Sequence, residues 1–533
     1  MRWSRGLRRR TDVGPRPALA AAAALAVVML SASDLSFYEE ALPTTLNPLF
    51  ARSMVDRRAQ ELVFDRLFYR SAITSEIKSR LVQTTEVLDG GRGVKLTLKE
   101  GIRWHDGEPL TPADICFTLD AMRDPRTPTQ VGKVFEESVA SCEASRRDVT
   151  IRFTKAYHNP TERLEFSVLP KHAFRGETAI QPDDDFSSRP IGTGPMKGSR
   201  GKREVRFTAY PNAHHAPRID VLQLGEGGDP LIQVRTLMNL GVHGIVNVPP
   251  PYRGDVAASD DIALKSYDLR SWWFAAMNTR RGPLQDKRIR QAVDAALDRE
   301  ELRRLTMGYD PDDIQQPCQF ISGPFVPASS YYNRSVKVRT RSDLARVRQL
   351  MLSAGAKDSG GTWTLGGAQL VLNIGMEAPL DLEARDLLNQ IGNQLQSAGF
   401  GRQVHKVSAD DWVNQVITGK ATDFDMLIGK WSFGVVEDVT PMFHTRTGGL
   451  GAYNIFNYSN PTADAMLARY DDAKTDTEAQ DAFHELHELL ADELPYLFLW
   501  KLDTKSGWRM EVKGNTITPY FYFTEFDGWT VGS

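Results

Sequence analysis

The sequence predicts an α/β protein with more than one domain. With 533 residues, the chain is longer than one hydrophobic core usually supports. Two segments, 94–122 and 272–298, each begin with a strand pattern and end with the pattern of an amphipathic helix. The composition, 41% hydrophobic and 25% charged, is that of a globular chain. Strands followed in this way by helices are typical of the α/β class.

The first 33 residues predict a secretory signal peptide. Arginines are concentrated in residues 1–17, an uninterrupted apolar run occupies 18–30, and small residues follow at 31–33. An uncleaved membrane anchor is the alternative, but the run is shorter than the roughly 20 residues of a transmembrane helix. Removal of this segment, with six arginines and one aspartate, would change the net charge from −3 to about −8. A mature chain this acidic argues against nucleic acid or an anionic membrane as a partner.

Segment 94–122 carries the strongest local signals. Val94, Leu96 and Leu98 alternate with polar residues, as in a half-buried strand. Turn residues occupy 101–109, and Thr111 is a candidate helix N-cap before an apolar face at helical spacing. Inside the turn lie Trp104, His105 and Asp106. We interpret them as residues that fix the shape of the turn and not as a binding site.

Residues 98–111 (LKEGIRWHDGEPLT), followed by Ala113 and Asp114, closely resemble a signature of the bacterial extracellular solute-binding proteins of family 5. That family comprises peptide- and nickel-binding receptors of ABC importers. The resemblance continues in the family's order over nearly the whole mature chain. Its other main segments are 192–196 (GTGPM, with Met196 in place of the usual aromatic residue), 272–298, 323–327, 458–464 and 494–500.

This resemblance implies a two-lobed periplasmic-binding-protein fold with an extra inserted domain and hinged lobes around a central cleft. The lobes would close around a solute and present the closed surface to a membrane permease. The implied boundaries are 34–68, 190–270 and 505–533 for lobe I, 69–189 for the inserted domain II, and 271–504 for lobe III.

The three cysteines are Cys116, Cys142 and Cys318. None directly follows the apolar run, so no lipid-attachment cysteine is expected and a free periplasmic protein is favoured. Cys116 and Cys142 either pair in an oxidising compartment or are buried as small apolar residues, and the sequence leaves both possibilities open.

No catalytic or cofactor motif stands out. A Gly-x-Ser-x-Gly elbow, a His-Glu-x-x-His motif and a phosphate-binding loop are all absent from the sequence. His484 and His487 are three residues apart in a helical stretch, where a solvated helix face is favoured over a metal site because further ligands are not apparent. His214 and His215 lie in a turn whose spacing matches no metal motif. We therefore expect no enzymatic activity, cofactor or metal.

The resemblance places the ligand site near Trp431. Peptide-binding members carry an aspartate three residues after this tryptophan, and its carboxylate pairs with the α-ammonium of the ligand. Here that position is Gly434, and Glu437 or Asp438 would have to substitute. The predicted ligand-contacting residues come from three segments: this one, the strand after 270, and a loop before a helix expected over 59–68. For the strand after 270, packing in the core is the competing role. The predicted ligand-contacting residues are Trp431, Ser432, Phe433, Gly434, Trp272, Phe274, Arg52, Ser53 and Met54.

Three functions are compatible with the sequence. The first is a monomeric periplasmic receptor that delivers a small solute, foremost a peptide, to the permease of an ABC importer. The second is the same class of receptor for an oligosaccharide, an opine or a metal chelate, which Gly434 motivates. The third is a secreted hydrolase, which the missing nucleophile motifs disfavour.

Overall fold

The fold is taken from a computed structural model of the chain. The predicted signal peptide lies outside the residues that the structure describes, and none of the described helices is long and apolar enough to cross a membrane. The described residues are 34–71, 76–129, 132–182, 185–267, 271–307, 318–378, 380, 382–408, 411–412, 423–433, 437–445, 454–517 and 522–532.

Strands are distributed along the whole of this range. In chain order they are β1 (Asp34–Glu39), β2 (Tyr69–Arg70), β3 (Ile77–Lys78), β4 (Val82–Leu88), β5 (Gly93–Leu98), β6 (Val139–Ser145), β7 (Asp148–Phe153), β8 (Met196–Arg200), β9 (Glu204–Ala209), β10 (Val221–Glu226), β11 (Gly244–Ile245), β12 (Ile262–Tyr267), β13 (Ser271–Met277), β14 (Cys318–Phe320), β15 (Lys357–Asp358), β16 (Trp363–Leu365), β17 (Ala368–Gln369), β18 (Val371–Glu377), β19 (Gly401–Val407), β20 (Met426–Ser432), β21 (Tyr496–Leu502), β22 (Thr504–Arg509), β23 (Val512–Lys513) and β24 (Thr530–Val531).

Helices alternate with these strands, as the sequence predicts. They are α1 (Met54–Glu61), α2 (Pro112–Arg123), α3 (Gly132–Ser138), α4 (Pro230–Met238), α5 (Arg253–Ala257), α6 (Lys287–Ala296), α7 (Arg299–Met307), α8 (Leu344–Ser353), α9 (Leu382–Ser397), α10 (Thr440–Phe443), α11 (Pro461–Asp472) and α12 (Asp476–Glu493).

Three larger sheets organise the molecule. Sheet I has the strand order β12-β22-β11-β1-β10-β9-β8, sheet II has the order β4-β5-β7-β6, and sheet III has the order β14-β21-β13-β20-β18-β19. Sheet I draws its strands from three separate parts of the chain, whereas sheet II is local to residues 82–153. The domain boundaries given above stay a prediction.

The chain crosses between sheets I and III at two neighbouring places. The chain leaves sheet I after β12, passes residues 268–270 and enters sheet III as β13. It returns from β21 to β22 across the single residue Asp503. Because β12 pairs with β22 and β13 pairs with β21, the two crossings lie side by side. The last pair before the crossing is Tyr267 opposite Thr504, and the first pair beyond it is Trp272 opposite Lys501.

Segment 94–122 folds as its sequence predicts. It forms β5, a turn, and α2, which begins at Pro112 after the Thr111 cap, and Asp114 Oδ2 accepts a hydrogen bond from the Thr111 N–H at 2.8 Å. Trp104 is fully buried. The buried His105 ring is held between backbone groups of residues 192 and 194, so this turn is structural.

The helix expected over 59–68 is wrong in position. The helix instead runs from Met54 to Glu61, because Ser53 and Asp56 form a capping box that starts it earlier. Residues 62–68 are not helical, and their apolar side chains are all buried. Met54 is consequently the first residue of the helix and not part of the loop before it.

Both faces of sheet III are covered. On β13, Trp272 and Phe274 belong to the core on the α11–α12 side, while Trp273 and Ala275 belong to the core on the other face. A strand buried on both faces reads as a continuous apolar run, which explains why SWWFAAM shows no alternation. Gly429 opposes Phe274, and an added Cβ there would lie 2.8 Å from the ring.

Cys116 and Cys142 form a disulfide that joins α2 to β6, with Cα atoms 5.4 Å apart. Of the two alternatives that the sequence left open, the structure has the paired form. Cys318 is free and buried. Sheet II, α2 and the segments that connect them are called the sheet II unit below, and sheet III with the helices that cover it is called the sheet III unit.

Replacing both paired cysteines (Cys116→Ala/Cys142→Ala) is expected to lower the free energy of unfolding by about 2–4 kcal/mol, because the bridge closes a loop of 26 residues in the unfolded chain. Urea denaturation followed by circular dichroism measures this. Cys318→Ala, which removes a thiol but no bridge, is the control. A double variant with an unchanged midpoint would show that the bridge does not form.

Candidate functional site

The candidate site lies where the carboxyl ends of two sets of strands face each other. In sheet I, β1 is parallel to β10 and β11, and β11 and β12 are both antiparallel to β22, so these four strands share a direction. Their carboxyl ends lie at the edge from which β12 crosses to sheet III. In sheet III, β18, β19 and β20 are mutually parallel and antiparallel to β13, so they end at the edge where β13 begins. Ligands of open α/β sheets bind outside such carboxyl ends.

The end of β20 carries the central predicted residues. Trp431 is partly exposed, and its ring centroid lies 6.2 Å from that of Phe433, which is buried. Ser432 is exposed, and its hydroxyl lies 2.7 Å from the hydroxyl of Ser271 at the start of β13. The structure thus brings these residues together at the edge of sheet III. Gly434 lies outside the described residues.

Trp272 and Phe274 lie in the core next to this edge. Trp272 is 0% exposed and Phe274 is 3% exposed. The Phe274 ring stacks on Tyr496 with centroids 4.9 Å apart, and the Trp272 ring lies 5.3 Å from Phe498. In this conformation both rings are covered by protein, so packing accounts for them. Their role as ligand contacts remains a prediction.

The loop before α1 has a structural task as well. The Ser53 hydroxyl accepts a hydrogen bond from the Asp56 N–H at 3.1 Å, and the Asp56 carboxylate accepts from the Arg52 and Ser53 N–H groups. The side chain of Arg52 is exposed and that of Met54 is half-buried. Ser53 is already used as the helix cap, and the role of these three residues as ligand contacts stays a prediction.

The two acidic residues beyond the gap at 434–436 already have partners. Glu437 Oε2 accepts a hydrogen bond from the Ser329 hydroxyl at 2.5 Å, and Asp438 Oδ1 accepts from the Thr440 N–H at 2.8 Å. An ammonium group that binds either carboxylate would have to share it with these donors.

A buried ion pair lies beneath the carboxyl end of β1. Arg58 Nε and Nη2 each donate to a different Glu39 carboxylate oxygen at 2.7 Å, and both side chains are almost completely buried. The Arg58 guanidinium also lies 5.8 Å from the centroid of the Tyr522 ring. Sequence reasoning missed this pair, although the signal was present: Glu39 occupies an inward position in the alternation of β1, after Leu35 and Phe37.

His214 and His215, which the sequence left without a role, meet Asp65. One ligand atom from each of the three residues lies within 4.8 Å of the others, a spacing that a metal ion could use. Asp65, however, accepts from the Thr193 hydroxyl at 2.8 Å, and Arg80 lies 2.6 Å from His215 Nδ1. Because Arg80 donates to Nδ1, the neutral His215 ring carries its proton on Nε2 and donates it to Asp65 at 2.9 Å. Arginine beside this network disfavours a cation, so hydrogen bonding accounts for the group.

The interpretation of His484 and His487 as a solvated helix face is wrong for His487. Its ring is 0% exposed, Nε2 lies 3.0 Å from the Ser322 hydroxyl, and Nδ1 accepts from the Asn333 N–H at 3.1 Å. Gly323 leaves room for this ring, since an added Cβ would lie 2.2 Å from it. Both ring nitrogens are therefore used, and His487 is a core residue.

Burial lowers the pKa of His487 to about 4, and we expect its ring to stay neutral at pH 5.5. Its contribution to folding stability is then present above the ordinary histidine pKa of about 6.5 and lost as the pH falls towards 4. Nitrogen-15 NMR of the imidazole across pH 4–8 measures this. His487→Gln provides the assignment, and a midpoint near 6.5 would contradict the buried, doubly hydrogen-bonded placement.

Comparisons with known proteins agree with this architecture. The family model described as "Bacterial extracellular solute-binding proteins, family 5 Middle" matches residues 76–453. Oligopeptide-binding protein AppA of Bacillus subtilis (strain 168) is 22% identical over 473 residues, which cover 86% of this chain and 84% of AppA.

Solved structures show the same fold. The structure of B. subtilis AppA in complex with a nonapeptide has a TM-score of 0.79 at 20% identity and covers 94% of this chain and 99% of its own. The structure of NikZ from Campylobacter jejuni in complex with Ni(L-His) has a TM-score of 0.79 at 19% identity, with coverage of 94% and 100%. The predicted fold class, α/β with the two-lobed periplasmic-binding-protein fold, is confirmed.

Proposed function

The chain belongs to the bacterial extracellular solute-binding proteins of family 5, and on that premise we propose that it is a periplasmic receptor of an ABC importer. In this proposal it captures a small solute between sheets I and III and delivers it to the membrane permease. It acts as a monomer, and it carries out no reaction on the solute.

The observation that carries this proposal is the arrangement of the two crossings. Sheets I and III are joined by two adjacent strand connections, at 268–270 and at Asp503, and their carboxyl edges face each other beside them. Two connections that lie side by side are the geometry of a hinge, and a hinge beside a cleft allows closure around a solute. The lobes proposed to move are residues 34–68, 190–270 and 505–533 on one side and 271–504 on the other, with 69–189 as the inserted domain.

A peptide is the first candidate solute. Oligopeptide-binding protein AppA, which is 22% identical to this chain, has been solved in complex with a nonapeptide. The proposed contacts are Trp431, Ser432 and Phe433 at the end of β20 with Gly434 beyond them, the neighbouring Trp272 and Phe274, and Arg52, Ser53 and Met54 across the cleft. An aromatic lining suits peptide side chains, because rings bury large area at little conformational cost.

A non-peptide solute is the second candidate, and the anchor position favours it. The family's aspartate is replaced by Gly434, and Glu437 and Asp438 already accept hydrogen bonds within the protein. A ligand without an α-ammonium group does not need that carboxylate. NikZ, solved with Ni(L-His), is a metal-chelate complex on the same fold.

Mass spectrometry of the solute released from the purified, denatured protein tests these candidates. We expect peptides of mixed sequence. Recovery of a sugar, an opine or a metal chelate without peptide would replace the first candidate by the second. A panel of ester, peptide and glycoside substrates tests the proposal that no reaction is performed, and turnover abolished by Ser432→Ala would overturn it.

A further inference from the structure

The sheet II unit also contacts the helices that cover sheet III. The loop after β7, residues 155–163, meets the end of α11 and the start of α12. Lys155 Nζ lies 2.8 Å from Asp471 Oδ2, and His158 Nε2 lies 2.9 Å from Asp476 Oδ1. Asn159 Nδ2 also donates to Asp476 Oδ1 at 3.3 Å. The contact therefore pairs basic and amide groups of one unit with carboxylates of the other.

Arg163 continues the same charge pattern. Its guanidinium lies over the Tyr157 ring, 4.8 Å from the centroid, and Lys155 Nζ lies 5.4 Å from the same centroid. Burial alone would lower the pKa of Arg163, but Tyr470 and Asp438 raise it. Both of these residues belong to the sheet III side, and Asp438 follows the segment in which the ligand anchor was expected. Cations of residues 155–163 thus face acidic groups between residues 438 and 476.

The two partners of this contact lie on opposite sides of the proposed hinge. Residues 155–163 precede the first crossing at 268–270, while residues 438–476 lie between the two crossings. A rotation of sheet III about the crossings therefore moves one partner of each pair relative to the other. The contact seen here therefore belongs to one setting of the hinge, and a rotation to another setting separates its partners.

We propose that residues 155–163 form a latch that holds the sheet III unit against the sheet II unit in the closed position. In this proposal the sheet II unit stabilises the closed state of the receptor and is more than a connection between β1 and β8. The latch rests on the proposed hinge, but not on the identity of the solute. Its strength suits a reversible step, because half-exposed ion pairs stabilise a contact by a factor of about 1.5 to 5 each.

Reversing one charge tests the latch. Lys155→Glu places two carboxylates opposite each other and is expected to lower the closed-to-open ratio by about 2- to 10-fold. The double variant Lys155→Glu/Asp471→Lys restores opposite charges and is expected to recover the ratio. The measurements use protein freed of co-purified solute by unfolding and refolding, so they report on the latch even where the proposed ligands prove wrong.

Nitroxide labels on the two units provide the readout. Val87→Cys on β4 and Ala465→Cys on α11 are both exposed, and the free Cys318 is buried. Pulsed dipolar electron spin resonance on the purified full chain then measures the distribution of distances. Raising the NaCl concentration from about 0.01 to 0.5 M shortens the Debye length from roughly 30 to 4 Å and is expected to populate the longer distance in the unmodified latch.

Lys95→Glu is the matched control. Lys95 Nζ lies 3.1 Å from Asp148 Oδ2 within sheet II, and the side-chain exposures of this pair, 44% and 33%, match the 41% and 32% of Lys155 and Asp471. We expect Lys95→Glu to leave the distance distribution unchanged. A distribution that Lys155→Glu leaves unchanged as well, or that the double variant fails to restore, would overturn the latch.

Discussion

Arg58→Met is expected to lower the free energy of unfolding by about 3–5 kcal/mol. The substitution leaves the Glu39 carboxylate, 0% exposed, without the two 2.7 Å hydrogen bonds that compensate its desolvation. Urea unfolding followed by tryptophan fluorescence at pH 7 measures the loss. The substitution also removes the contact between the Arg58 guanidinium on α1 and the ring of Tyr522 in the C-terminal segment.

The double variant Glu39→Leu/Arg58→Met separates the charge from the packing. Replacement of both partners by apolar residues removes the buried carboxylate, so most of the lost stability is expected to return. Arg152→Met is the matched control, because Arg152 pairs with Asp89 on the surface and its loss is expected to cost less than about 1 kcal/mol. Equal losses in Arg58→Met and in the double variant would mean that the arginine acts through packing alone.

Phe274→Ala is expected to lower the stability of the protein, whereas Trp431→Ala is expected to lower its affinity for the solute. Phe274 is 3% exposed and stacked on Tyr496, so its truncation opens a cavity and lowers the free energy of unfolding by about 3–5 kcal/mol. Trp431 is partly exposed at the cleft edge of sheet III, so its truncation is expected to change stability little. Its effect falls on binding instead, with a loss of affinity of about 10- to 100-fold, because tryptophans at interfaces are frequent hot spots.

Calorimetry with the solute recovered from the purified protein measures the affinity, and urea unfolding measures the stability of the same preparations. Phe433→Leu serves as a control for the core side of the edge, since Phe433 is 7% exposed and a leucine keeps most of its volume. Unchanged affinity in Trp431→Ala would place Trp431 outside the site.

The parts of the fold that the sequence predicts are those with strong local signals. β5, the turn and α2 follow from alternation, turn residues and a capping pair within one segment, and β13 with α6 follows from an apolar run and a helical face. α1 was misplaced because apolar residues at 62–68 imitate a helical face. Their burial comes from contacts with other segments, among them the Val63 carbonyl that accepts from the Gly194 N–H.

The candidate site was harder to predict because it depends on pairs that are distant in the chain. Ser432 meets Ser271 across 161 residues, and His487 meets Ser322 across 165 residues. His487 looked solvated from its acidic neighbours, yet its burial is decided by Gly323 and by the loop around Asn333. The resemblance to a family predicts a ligand site at the end of β20, but it could not show which of Trp431 and Phe274 is buried in the core.

The pairing of sheet I also determines the order in which the chain can fold as it is synthesised. β1 pairs with β10 and β11, about 190–210 residues later, and β11 in turn needs β22 at Thr504–Arg509. The sheet II unit has all its strands within residues 82–153 and can fold while the rest is still being made. Sheet I cannot be completed until almost the last residue has left the ribosome, and such distant pairing makes folding slow. Apart from the sheet II unit, the nascent chain is thus expected to stay unfolded until its synthesis is almost complete.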